Sequence, residues 1–170
     1  MALDEREVIR FTAGTTGGWN TTVNRTLLPK RTYVEERTGY RYETDSHGRI
    51  DAAEGNLIDE AGTRNAYQQA KSGGADRLDT DHGGHLFATI FRGPGERINL
   101  VPMDSNLNQG VWKAMENRWA RALERGKTVR VSLRLDYDEH RTRPKRFEVK
   151  YQIEGRPIVV RTFQNRPGGE

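Results

Sequence analysis

The chain has 170 residues, 34% hydrophobic and 31% charged, which is enough for one domain with a core of its own. It contains no cysteine, so disulfides and thiolate metal sites are excluded and any metal must be held by oxygen or imidazole. A net charge of +4 and a pI near 9.5 suit a polyanionic partner, because guanidinium groups pair with phosphates bidentately. No apolar run is long enough to cross a membrane, and no charged-then-apolar leader opens at Met1.

Residues 1–30 read as an irregular lead-in to a single domain over residues 31–170, since Gly14, Gly17, Gly18 and Asn20 crowd the segment. Aromatic and β-branched residues over 33–42 predict a strand. Asp45-Ser46-His47-Gly48 predicts a turn, with strand resuming near Arg49 and Ile50. Residues 62–71 predict a helix stopped by Gly73-Gly74. A strand is expected over 86–91, after the glycine-rich run Asp81-His82-Gly83-Gly84-His85, and a loop over 92–96. Trp112, Met115, Trp119 and Leu123 recur at helical spacing, predicting the main helix, capped by Ser105 or Asn106 and ended by Gly126. Alternation predicts strands over 129–135, 147–153 and 158–163, the last two joined across Glu154-Gly155. Strands outnumber helices and the hairpins are sequential, so the expected class is α+β with an antiparallel sheet.

The stretch from Asp81 to Glu116 carries the chemistry. His85 is a suitable general base near neutral pH, because imidazole titrates close to it. Gly83 and Gly84 carry no side chains and would let a nucleic-acid backbone approach. Asn108 offers a neutral oxygen ligand of the kind Mg²⁺ accepts while keeping most of its waters. Eight helical steps of about 100° would leave Glu116 about 80° round from Asn108, so the two can converge on one site. Taken singly, each residue has an ordinary structural explanation: a satisfied histidine, a helix cap, a solvated helix charge. A zinc site built on His82 and His85 is disfavoured, because a metalloprotease pair sits a full helical turn apart with glutamate between.

The combination resembles the DNA/RNA non-specific endonucleases with a ββα-metal core. Their pattern is Gly-His, then Asn, then a second Asn within Leu-Asn-Gln-Gly at a helix start, then Trp and Glu. Here it reads Gly84-His85, Asn99, Leu107-Asn108-Gln109-Gly110, Trp112 and Glu116. The branch that bacteria use as toxin domains is most similar, through Gly83-Gly84-His85-Leu86, Asn99-Leu100-Val101-Pro102-Met103 and Lys113-Ala114-Met115-Glu116. Thr44-Asp45 with Gly48-Arg49, Arg64-Asn65, and Arg143-Pro144 before Phe147-Glu148-Val149 extend the likeness to residues 33–163.

The resemblance implies a ββα-metal fold and hydrolysis of phosphodiester bonds in DNA, and in RNA, without sequence preference. It implies His85 as the base that deprotonates water and Asn108 as the ligand of a hydrated Mg²⁺, with Mn²⁺ as the alternative ion. Glu116 would orient a water of that ion, and Asn99 would position His85 or the phosphate. Many members carry an arginine two places before the histidine to steady the phosphate. Gly83 stands there in this chain, so Arg64, Arg92 or Arg143 is expected to bind substrate instead. The toxin branch further implies a module of a larger secreted effector, delivered into a target cell and neutralised by a dedicated immunity protein. The alternatives are a free-standing nuclease serving DNA uptake or nutrition, and a nucleic-acid-binding module that does not cleave.

Overall fold

The computed structural model describes residues 6–170. Strand β1 (Glu7–Phe11) lies parallel to β2 (Arg31–Glu35), which turns through Gly39 into β3 (Arg41–Thr44). The expected strand over 33–42 is therefore a hairpin. Asp45 makes the next turn as expected, its Oδ1 accepting from the backbone N–H of His47 at 2.9 Å and of Arg49 at 3.0 Å. Strand β4 (Ile50–Asn56) follows.

Helix α1 (Ala66–Lys71) is shorter than expected, because Asn65 caps it by accepting from Gln68 N. Strand β5 (Asp81–His85) pairs antiparallel with β6 (Leu100–Asp104). The expected strand over 86–91 is not formed; the strand lies earlier, on the glycines themselves. A Cβ at Gly83 would collide with the Gln69 backbone, and one at Gly84 would meet the Met103 side chain at 2.8 Å. These glycines admit the protein's own α1 and β6.

The main helix is also divided. Asp104, not Ser105 or Asn106, caps α2 (Ser105–Gln109) by accepting from Leu107 N at 3.1 Å. Gly110 then leaves helical geometry (φ −96°, ψ −110°), and α3 (Val111–Glu124) begins after it. Strands β7 (Val129–Tyr137), β8 (Pro144–Ile153) and β9 (Val159–Gln164) complete the chain as successive antiparallel neighbours. The class is α+β: one sheet in the order β1-β2-β3-β4-β7-β8-β9, and a separate β5–β6 ribbon.

The lead-in is not irregular throughout, since β1 is an edge of the large sheet, and residues 1–5 lie outside the described residues. Buried Glu96 accepts from Gly14 N at 2.9 Å and Asn20 N at 3.2 Å, and Glu35 accepts from Ala13 N. Those backbone donors have left water, so the acceptors make the segment part of the domain.

Alternation along β7 and β8 turns Val131, Leu133, Phe147, Val149 and Tyr151 to one face, and α3 lies on it. Trp112 meets Phe147 and Phe163 at ring distances of 5.3 and 5.6 Å, and Trp119 meets Tyr151 at 5.3 Å. Truncating either tryptophan removes about 3–5 kcal/mol of packing.

Two polar clamps fasten the ribbon. At one end, Asp81 pairs bidentately with Arg143 (Nε–Oδ2 2.7 Å, Nη2–Oδ1 2.9 Å), its side chain 0% exposed. Asn165 adds bonds to Asp104 N, Pro102 O and Pro144 O. At the other end, Asn99 (0% exposed) accepts from Tyr42 OH and Phe87 N and donates to Phe87 O and Pro94 O.

Arg143→Met would leave the Asp81 charge buried without its partner, a change that costs about 3–5 kcal/mol. Urea unfolding should show that loss; a decrease below about 1 kcal/mol, the value of an exposed pair, would show that this clamp does not hold the ribbon.

Candidate active site

The ribbon, α1, α2 and α3 surround a polar cleft of about 490 Å³, lined among others by Arg64, His82, His85, Asn108, Lys113 and Glu116. His85 ends β5 where the ladder pairs it with Leu100. Its Nε2 lies 3.5 Å from the Thr89 hydroxyl. Lys113 and Glu116, three apart, share a face of α3, while Trp112, Met115 and Trp119 point to the core.

Asn108 reaches the cleft from α2. Its amide Nδ2 lies 3.3 Å from His82 Nδ1. Donation from the amide to that nitrogen places the His82 proton on Nε2 and commits one side of Asn108. Its Oδ1 has no hydrogen-bond donor among the described residues, which leaves a neutral oxygen on a polar cleft. Among the described residues no three of His, Asp and Glu gather into a metal-binding cluster. A hard divalent ion that keeps most of its water fits this donor set; zinc, which takes several protein ligands, does not.

The cleft shifts its two titratable groups in opposite senses. Burial, then the charge of Arg64, lowers the His85 pKa to about 4, so the imidazole is neutral at physiological pH. Burial raises the Glu116 carboxyl to about 7, and Lys113, Trp112 and Arg64 oppose that rise. The Trp112 indole N–H acts on Glu116 at longer range, being without a partner at hydrogen-bonding distance. A cation entering the cleft would favour ionised Glu116.

Of the arginines expected to bind substrate, only Arg64 lines the cleft. Arg92 pairs with Glu60 at 2.7 Å and lines a separate hollow with Gly62 and Gly93. Arg143 is consumed by Asp81. Sequence spacing could not separate the three, because a guanidinium's role depends on which carboxylate the fold buries beside it. Asn99 does not reach the cleft. Its four bonds leave nothing for phosphate, so only the positioning half of its expected role suits its place. His82 and Lys113 line the cleft without having been singled out as site residues; helix-surface lysines are common, and the His82 contact crosses elements distant in sequence.

The raised Glu116 pKa has a stability consequence. Unfolded, the carboxyl loses its proton near pH 4.5; folded, near pH 7. Between these values the folded state holds the extra proton, so stability falls as pH rises and levels off above the window. Glu116→Gln should abolish that slope. In chelator, the urea midpoint of wild type minus variant should fall through the window and then stay constant, the opposite slope from His85 cancelling in the difference. A difference independent of pH would show that Glu116 is fully hydrated.

Residues 30–155 match the family described as DNA/RNA non-specific endonuclease. The type VII secretion system protein EssD of Staphylococcus aureus is 38% identical over 131 residues, 73% of this chain. The chain spans about a fifth of the length of that relative (21%). Among solved structures, NucA from Streptococcus agalactiae, crystallised with no metal bound, superposes with a TM-score of 0.59 at 15% identity, covering 86% of this chain and 75% of that one; this likeness concerns the fold. With nearly three quarters of its length matched, this chain belongs to the DNA/RNA non-specific endonuclease family.

Proposed function

We propose that the chain is a metal-dependent endonuclease that hydrolyses DNA, and RNA, at phosphodiester bonds, with His85 as general base and Asn108 as the protein ligand of one Mg²⁺. The observation that carries this reading is the meeting of His85, Asn108, Glu116 and Arg64 on one cleft, brought there by four separate segments.

His85 is neutral at physiological pH and can take a proton from a water at its free nitrogen. The water oxygen bonds to phosphorus as the bond to the 3′ oxygen breaks, which leaves a 5′ phosphate. Arg64, without an ion-pair partner among the described residues, supplies the phosphate with a cation. Glu116 presents a carboxylate acceptor to water in the same cleft, and the Asn99 clamp holds the strand end carrying His85. A divalent ion held at Asn108 Oδ1 would neutralise phosphate charge and assist departure of the 3′ oxygen. Mg²⁺ suits a single neutral oxygen ligand, and Mn²⁺ is its closest substitute.

We place the domain within a larger secreted effector used against other cells, with a dedicated immunity protein. The support is the likeness to a type VII secretion system protein of which the chain matches only a part. Among the described residues no helix is long and apolar enough to cross a membrane.

With Mg²⁺, the protein should nick and linearise plasmid DNA. His85→Ala should lower that rate by about two to four orders of magnitude, and Arg64→Ala by about a hundredfold, while Arg92→Ala leaves it unchanged. An intact plasmid at every protein dose, or wild-type cleavage by His85→Ala, would sink the assignment. Expression of the active chain in a bacterial cytosol should arrest growth and His85→Ala should not; harmless expression of active enzyme would remove the toxin reading alone.

A further inference from the structure

A second groove, of about 450 Å³, opens between the C-terminal half of α3 and the β8–β9 hairpin. Its floor is apolar, built from Ala122, Tyr151, Ile153 and Val159. Its rim carries five cations, Arg118, Arg121, Arg125, Lys127 and Arg156. None of the five makes an ion pair among the described residues. Elsewhere the basic side chains are commonly matched: Arg31 with Glu7, Arg41 and Arg130 with Glu54, Arg146 with Asp136, Lys145 with Asp138. The one carboxylate lining the groove, Glu154, accepts from Thr128 N at 3.1 Å. The fold thus collects five cations around an apolar hollow with a single carboxylate among them.

The groove is separate from the catalytic cleft. At 100° per residue, Arg118, Arg121 and Arg125 lie roughly 120° round α3 from Lys113, Glu116 and Asn117. The buried tryptophan stripe separates the two flanks on the core side. A ligand here would not touch His85 or Asn108.

We propose that this groove is a docking site for an acidic protein partner, which seats an apolar or aromatic side chain on the half-buried Ile153 and Val159 and surrounds it with carboxylates that meet the arginine rim. Both halves of the surface enter the argument. A nucleic-acid backbone would answer the cations and leave the apolar floor wet. An apolar partner without acids would leave the cations facing one another. An anchor residue in a hollow with a charged rim is the ordinary anatomy of a protein interface, and the rim charge would speed encounter. The proposal is independent of the catalytic assignment.

The test uses the full chain in chelator and three fluorescent probes: the peptide Glu-Glu-Leu-Trp-Glu-Glu, its Glu-Glu-Gly-Gly-Glu-Glu counterpart, and a short single-stranded DNA. The tryptophan peptide should bind saturably and at least about tenfold more tightly than the glycine peptide. Arg121→Glu with Arg125→Glu should weaken it by about tenfold, with Mg²⁺-dependent plasmid cleavage unchanged. Equal binding of the two peptides, or no binding of either, overturns the proposal on wild-type protein alone. A double variant that loses DNA binding and cleavage while keeping the tryptophan peptide would make the groove a nucleic-acid track and overturn it as well.

Discussion

The arrangement of the β5–β6 ribbon depends on one buried charge. Asp81 opens β5 with its carboxylate out of water, and a charge so placed is tolerable only beside a well-aligned counter-charge. Arg143, adjoining the start of β8, supplies it in bidentate form, and its Nη2 also donates to Asn165 O at 3.0 Å. That requirement ties a short, glycine-containing ribbon to the large sheet. The ribbon could not hold itself: Gly83 and Gly84 contribute no side chain to a core, and two strands alone are marginal. Asn99 closes the opposite end, with both donors and its acceptor oxygen engaged.

Burial of the cleft residues matters chemically. The same burial that makes protonated His85 unfavourable makes ionised Glu116 unfavourable, and so drives their pKa values in opposite directions. Arg64 strengthens the first effect and offsets the second. A histidine held neutral suits a proton acceptor, and a carboxylate close to its titration point is responsive to any cation that enters. The His82 contact belongs to the same design, since it occupies the amide nitrogen of Asn108 and leaves the oxygen available.

The two faces of α3 divide the helix's work. One flank presents Lys113 and Glu116 to the cleft, and the other presents an arginine-rimmed hollow. Between them Trp112 and Trp119 pack edge-on against Phe147, Phe163 and Tyr151. The aromatic stripe therefore fixes the rotation of the helix, and with it the direction of both polar flanks.

Much of this was legible in local pattern. Alternation in β7, β8 and β9, the Asp45 turn, and the tryptophan spacing of α3 each follow from which side chains must share a face, a property carried by neighbours in sequence. The order and spacing of His85, Asn108 and Glu116 also sufficed to point at a common chemistry. Local pattern failed where the deciding contact was distant. Gly83 and Gly84 read as lying ahead of the strand, yet they pair with Pro102 and Val101 inside it, and Gln69 and Met103 pack where a Cβ would stand. Ser105 and Asn106 looked like caps for one long helix, but Asp104 caps it and Gly110 breaks it. That Arg64 lines the cleft while Arg92 and Arg143 pair with Glu60 and Asp81 was likewise set by distant contacts. The stretch from Asp81 to Glu116 thus carries most of the groups that line the cleft, while their hydration and their partners come from the segments folded around it, because desolvation is a property of the whole surroundings and not of a motif.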